Sequence, residues 1–168
     1  MTYEQFIESK AQIGFKPFYD ENGITIYCAD NRRVLPCLPQ IDLLLTDPPY
    51  GIGFAEQPTT GQRKRGQPRE TWDDAAPDEW TLLLARQLCI KQIIWGGNYF
   101  GLPRSRCWLS WYKPDAPPSM GNVEYAWTNL DQNSRQIEQS IAATNAEDRK
   151  STRLNSSHIP LSRMPSSA

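Results

Sequence analysis

An apolar run that stops at an acid, two prolines, an aromatic ring and a glycine does most to limit what this chain can fold into. It reads Ile41-Asp42-Leu43-Leu44-Leu45-Thr46-Asp47-Pro48-Pro49-Tyr50-Gly51. Ile41 and Leu43 to Leu45, bulky and branched and broken only by Asp42, suit a strand buried on both faces of a parallel sheet. The prolines end it, because neither can donate to a ladder and both fix φ. Asp47, Pro48, Pro49 and Tyr50 are therefore expected in a rigid turn at the carboxyl end of that strand, where open α/β sheets hold their ligands. The same four residues would also suit a surface turn with an aspartate cap. Their neighbours decide.

With 168 residues the chain is one domain at most, at about 100–200 residues each. A hydrophobic fraction of 39% with six Trp is enough for a core. No stretch reaches the ~20 apolar residues of a membrane span. Glu4 and Glu8 leave no apolar signal region at the amino terminus. Cys28, Cys37, Cys89 and Cys107 are widely spaced, with no Cys-x-x-Cys pair. They predict reduced thiols in a cytoplasmic protein, with neither a disulfide framework nor a bound metal.

The carboxyl-terminal residues have a different character. Asp148-Arg-Lys-Ser-Thr-Arg-Leu-Asn-Ser-Ser-His158 is what a widely used sequencing-library adapter encodes, and Ser162 to Ala168 match its continuation after a short index. A Ser-rich disordered tail is the ordinary reading, but eighteen residues matching one oligonucleotide argue against coincidence. Residues 148–168 are thus expected to be translated adapter, with the natural frame interrupted near Glu147. The one histidine, His158, then has no role. Without this tail the chain carries 14 Lys+Arg against 18 Asp+Glu, a charge of −4, so any nucleic-acid contact needs a local basic patch. Resequencing the locus should show a genomic frame that leaves this tail after codon 147. A continuous genomic frame through residue 168 would sink the idea.

Along the chain, Thr2 with Gln5 resembles a capping box for a short helix ending at Gly14. Asp20-Glu21-Asn22-Gly23 is a turn, and Ile24–Cys28 a strand by β-branched content. Asn31 can cap a short helix over Arg32–Leu38, limited by Pro36, before the strand that opens at Ile41. Strand, short helix and strand read as a βαβ unit. After Gly51 and Gly53, residues 57–70 are polar and aperiodic and hold Arg63, Lys64 and Arg65. Such a charge run is usually a solvated loop, yet beside this turn it could track nucleic-acid phosphates. Asp78 caps a helix through Leu82–Leu88. Gln92–Trp95 is a strand that stops at Gly96-Gly97-Asn98, again a glycine turn at the same sheet edge. Cys107–Lys113 and Val123–Thr128 are partner strands, and 132–146 has no clear assignment.

Asp47-Pro48-Pro49-Tyr50 resembles the catalytic motif of amino-group DNA methyltransferases, the adenine-N6/cytosine-N4 family. Ile93-Ile94-Trp95-Gly96-Gly97-Asn98-Tyr99-Phe100 and Trp111-Tyr112-Lys113 resemble later motifs of that family, in the same order, so the likeness covers about residues 24–130. It implies a permuted member with the catalytic motif near the amino terminus, and S-adenosylmethionine as methyl donor. The implied substrate is double-stranded DNA with its target base flipped out. Asp30 matches a strand-end acid that approaches the adenine of the donor, though a helix-capping aspartate is an equal reading. Asp47 would lie beside both donor and base.

The implied fold is α/β, an incomplete Rossmann-like methyltransferase sheet. The Phe-x-Gly-x-Gly cofactor loop is absent from 1–168, so its strands, which would lie between those ending at Asp30 and Asp47, should be missing too. On this reading 1–147 is a partial catalytic domain that binds the donor weakly and exposes unpaired strand edges. The implied enzyme is an adenine-specific DNA methyltransferase. Cytosine-N4 methylation is the alternative, although that class more often has serine at position 47. Glutamine methylation in proteins uses asparagine there. A non-catalytic DNA-binding module relying on Arg63, Lys64 and Arg65 is a further alternative.

Overall fold

The computed structural model describes residues 14, 16–53, 73–118 and 120–144. The helix expected after Thr2, the basic stretch with Arg63, Lys64 and Arg65, and the tail from Asp148 lie outside these residues. The described elements begin with β1 (Tyr19–Glu21), β2 (Ile24–Ile26), α1 (Asn31–Val34), a 3-10 turn (Leu35–Cys37) and β3 (Ile41–Thr46). Then come α2 (Glu79–Leu88), β4 (Cys89–Trp95), a second 3-10 turn (Gly97–Tyr99), β5 (Trp108–Tyr112), β6 (Val123–Thr128) and β7 (Arg135–Glu138).

Asn22 and Gly23 both take positive φ, at 52° and 77°. Two such residues between two short strands make a tight hairpin whose twist matches its strands. β1 and β2 accordingly pair antiparallel, Tyr19 opposite Ile26 and Glu21 opposite Ile24. Thr25 Oγ1 donates to Asp20 Oδ1 at 2.8 Å across the pair. This corrects the expected βαβ unit. β2 finds its partner locally, in a separate two-stranded sheet, and the strand expected to run to Cys28 stops at Ile26.

The βαβ unit is instead β3–α2–β4. β3 and β4 run parallel with Ile41 opposite Cys89 and Thr46 opposite Ile94. The crossover helix starts where Asp78 accepts from Thr81 N at 2.7 Å and Thr81 Oγ1 at 3.0 Å. It satisfies a helix-end donor that has no intrahelical partner. The chain passes from α2 into β4 without a loop, and the buried Gln92 secures the corner. Its Nε2 donates to Arg86 O at 2.7 Å and Cys89 O at 3.0 Å, while Oε1 accepts from Arg86 Nε at 3.1 Å.

The larger sheet has five strands in the order β3-β4-β6-β5-β7, with β4 and β6 antiparallel, so the fold is α/β with a mixed sheet. Placing β5 beside β6 agrees with their expected partnership. β7, exposed at all four residues, falls in a stretch without a sequence assignment. β3 does not match the expected strand buried on both faces: Leu43 is 46% and Leu45 62% exposed. It is a sheet edge, with no partner on its outer side among the described residues. Among those residues, no helix is long and apolar enough to cross a membrane.

The chain divides into two compact units, Met1–Leu109 with Tyr125–Arg135, and Ser110–Glu124 with Gln136–Ala168. In the first, Ile94, Cys107, Ala126, Trp127 and Thr128 form the buried centre. Trp127 Nε1 donates to Pro103 O at 2.8 Å, and the Arg86 guanidinium lies 5.0 Å from the Trp127 ring centroid. In the second, buried Lys113 pairs with Glu124 and sits 4.8 Å from the Trp111 ring centroid. Asp115 accepts from the amides of Ile141 and Ala142 at 2.7 and 2.9 Å. Those two N–H groups hold its carboxyl below the usual range.

Gly97 shows how closely the first unit is packed. A Cβ there would come 2.4 Å from Trp127 Cβ and 2.9 Å from Trp127 N. Gly97→Ala should therefore destabilise the protein by about 1–3 kcal/mol, the usual cost of overpacking a core. Urea unfolding measures it, and an unchanged midpoint would show that the contact is slack.

Candidate active site

Because β3 and β4 are parallel and in register at Thr46 and Ile94, the turns that follow them leave the sheet at one edge. The first is Asp47-Pro48-Pro49-Tyr50-Gly51, the second Gly96-Gly97-Asn98-Tyr99-Phe100. The Tyr50 ring stacks on Tyr99 with centroids 4.9 Å apart and planes 15° from parallel. It meets Phe100 edge-on at 6.3 Å and 69°. Offset stacks and edge contacts of this kind suit the charge distribution of aromatic rings. The Tyr50 hydroxyl donates to Asp47 Oδ1 at 2.6 Å.

Glycine at position 96 permits this approach. Its φ is +66°, and a Cβ there would lie 2.0 Å from Tyr50 Cε1. Its amide donates to Tyr125 O at 2.9 Å, anchoring the second turn to β6. Backbone conformation and ring contact both exclude a side chain.

A residue outside the motif completes the first turn. Asp73, only 1% exposed, accepts from Tyr50 N at 2.7 Å and from Gly51 N at 3.0 Å, both on Oδ1. Gly53 N donates to Asp73 O at 3.1 Å, and Gly51, at φ +72°, leaves no room for a Cβ beside Ala76 N. Nothing in the sequence marks Asp73 for this place. It stands in a Trp-Asp-Asp cluster 22 residues beyond Gly51, and no spacing rule links the two. The sequence places Tyr99 in the Ile93–Phe100 segment after the glycine turn, but nothing there pairs its ring with Tyr50.

Of the residues read from sequence, Asp47 and Tyr50 are joined directly, and Pro48 and Pro49 form the turn between them. Arg63, Lys64 and Arg65 lie outside the described residues, between Gly53 and Asp73, the two residues that are bonded to each other. Asp30 is the N-cap of α1, one residue earlier than the expected Asn31. It accepts from Arg32 N at 2.9 Å. Arg32 also binds both its oxygens, with Nη2 2.6 Å from Oδ2. This is the capping arrangement. The pair lies at the surface, with 39% of the Asp30 side chain exposed. Among the described residues, no His, Cys, Asp and Glu group could hold a metal ion.

Searches against protein-family models, curated proteins and solved structures found no match for the chain.

Hydrogen bonds from Arg32, side chain first and backbone second, lower the Asp30 carboxyl to about 2 from its ordinary 3.8. A lowered carboxyl stabilises the fold above its unfolded pKa, and that contribution fades as pH falls from 3.8 towards 2. A carbon-13 titration should place Asp30 near 2, and Arg32→Gln should move it back towards 3.8. An Asp30 titration that ignores Arg32→Gln would exclude the pair in solution.

Proposed function

We propose that this chain carries the acceptor-side half of an amino-group DNA methyltransferase, acting on adenine-N6 with S-adenosylmethionine as methyl donor. The observation that supports it is the turn itself. Asp47-Pro48-Pro49-Tyr50 sits at the carboxyl end of a parallel strand, with the Tyr50 hydroxyl on Asp47 and a second glycine turn beside it.

The exocyclic nitrogen of adenine is a poor nucleophile because its lone pair is delocalised into the ring. Two fixed acceptors on its N–H groups favour a tetrahedral nitrogen with a localised pair. In this proposal the Asp47 carboxylate is one acceptor and the Pro48 carbonyl the other, and proline rigidity lowers the ordering needed when the base arrives. Tyr50 stacks on the base once it is flipped from the duplex. Its hydroxyl already orients one Asp47 oxygen. The bound donor supplies an electrophilic methyl group, and alignment with the nitrogen provides most of the rate. Asp30 would meet the adenine of the donor by exchanging Arg32 for it.

The test is transfer from tritiated S-adenosylmethionine to duplex DNA, using the enzyme completed by its downstream reading frame. Asp47→Ala should abolish N6-methyladenine in the digest, and Tyr50→Ala should raise KM for DNA. Full activity of Asp47→Ala would end this reading, while N4-methylcytosine would move it to the cytosine class. Residues 1–147 alone should bind the donor weakly, so micromolar affinity by calorimetry would contradict the half-site assignment.

A further inference from the structure

We infer that Asp73 is a positioning residue: its buried carboxylate sets the Tyr50 ring in the place where a target base must stack. The inference rests on the methyltransferase reading for the identity of the ligand, while the positioning itself rests on geometry alone.

One oxygen, Oδ1, accepts from two successive amides, Tyr50 N at 2.7 Å and Gly51 N at 3.0 Å. Those amides belong to the peptide planes on either side of the Tyr50 Cα. Fixing both planes fixes φ and ψ of Tyr50, and with them the direction of its Cα–Cβ bond. The ring then falls against Gly96 and Tyr99, and the hydroxyl reaches Asp47 Oδ1. Prolines 48 and 49 cannot supply this control. They stiffen the chain before Tyr50, but having no N–H they cannot donate to the Asp73 carboxylate.

Asp73 is itself held firmly. It is 1% exposed, and its carbonyl accepts from Gly53 N at 3.1 Å. A carboxylate that accepts backbone N–H groups makes stronger bonds than a neutral acceptor. Losing it would leave two amides in a half-buried turn without their acceptor. Through these bonds Asp73 acts on the substrate by way of Tyr50, on the alignment of the base. In proximity-driven catalysis, a displacement of 1 Å costs on the order of 10²-fold in rate.

The experiment uses the full chain as wild type, Asp73→Asn and Asp73→Ala. Asparagine keeps an oxygen that can accept both amides; alanine does not. In wild type and Asp73→Asn, the Tyr50 and Gly51 amides should exchange slowly with deuterium, and Tyr50 and Tyr99 ring protons should show a mutual nuclear Overhauser effect. In Asp73→Ala both signals should vanish while the β4 amides of Ile93 and Ile94 remain protected. Intact ring contacts in folded Asp73→Ala would overturn the inference. So would fast exchange of the Tyr50 and Gly51 amides in wild type, a measurement that needs no variant. In the completed enzyme, Asp73→Ala should lower kcat on the order of 10²-fold with KM for the methyl donor unchanged, and Asp73→Asn should recover most of the loss. A wild-type enzyme that transfers no methyl group would refute the methyltransferase reading and leave the ring-contact result to stand or fall separately.

Discussion

The parallel register between β3 and β4 is the constraint on which the candidate site depends. Thr46 lies opposite Ile94, so the two strands end level and their turns share an edge. A slip of one residue would turn every side chain of β3 to the other face and part Tyr50 from Tyr99. The register has support at its far end too. α2 enters β4 with no loop, and Gln92 ties the helix end to the strand through three hydrogen bonds. Anchorage at one end of β4 thus fixes the aromatic contact at the other.

The site follows from that register together with two kinds of close approach. Glycine removes the side chains that would block the rings: Gly96 under Tyr50, Gly97 against Trp127 and Gly51 beside Ala76. Charge then secures what space allows, since a buried carboxylate gathers the amides that the proline turn presents. Turn, ring and acceptor are thereby joined through hydrogen bonds and a ring stack into one connected cluster.

What the sequence shows and what it hides divide along the range of the interactions. The turn at Asp47–Tyr50, the Asp78 cap, the strand ending in Gly96-Gly97 and the pairing of β5 with β6 were legible because each is written in adjacent residues or in a short-period pattern. The βαβ unit was misplaced for a local reason also. Asn22-Gly23 folds β2 back on β1, a preference that outweighs the appearance of a strand followed by a helix. The run at 41–45 predicts a fully buried β3, but burial depends on what covers a strand, and among the described residues Leu43 and Leu45 are exposed on an edge. Asp73 could not be found at all. Its partners lie 22 and 23 residues away, and an acid that binds backbone amides imposes no residue type on its partners.

The bond from Gly53 N to Asp73 O is made by main-chain atoms alone. Every residue type at position 73 keeps that carbonyl, whereas the two bonds to the amides of Tyr50 and Gly51 come from the Asp73 side chain. The two ties are therefore separable. A chain that loses the carboxyl keeps its backbone tie at Gly53 and frees only the stretch that carries the ring.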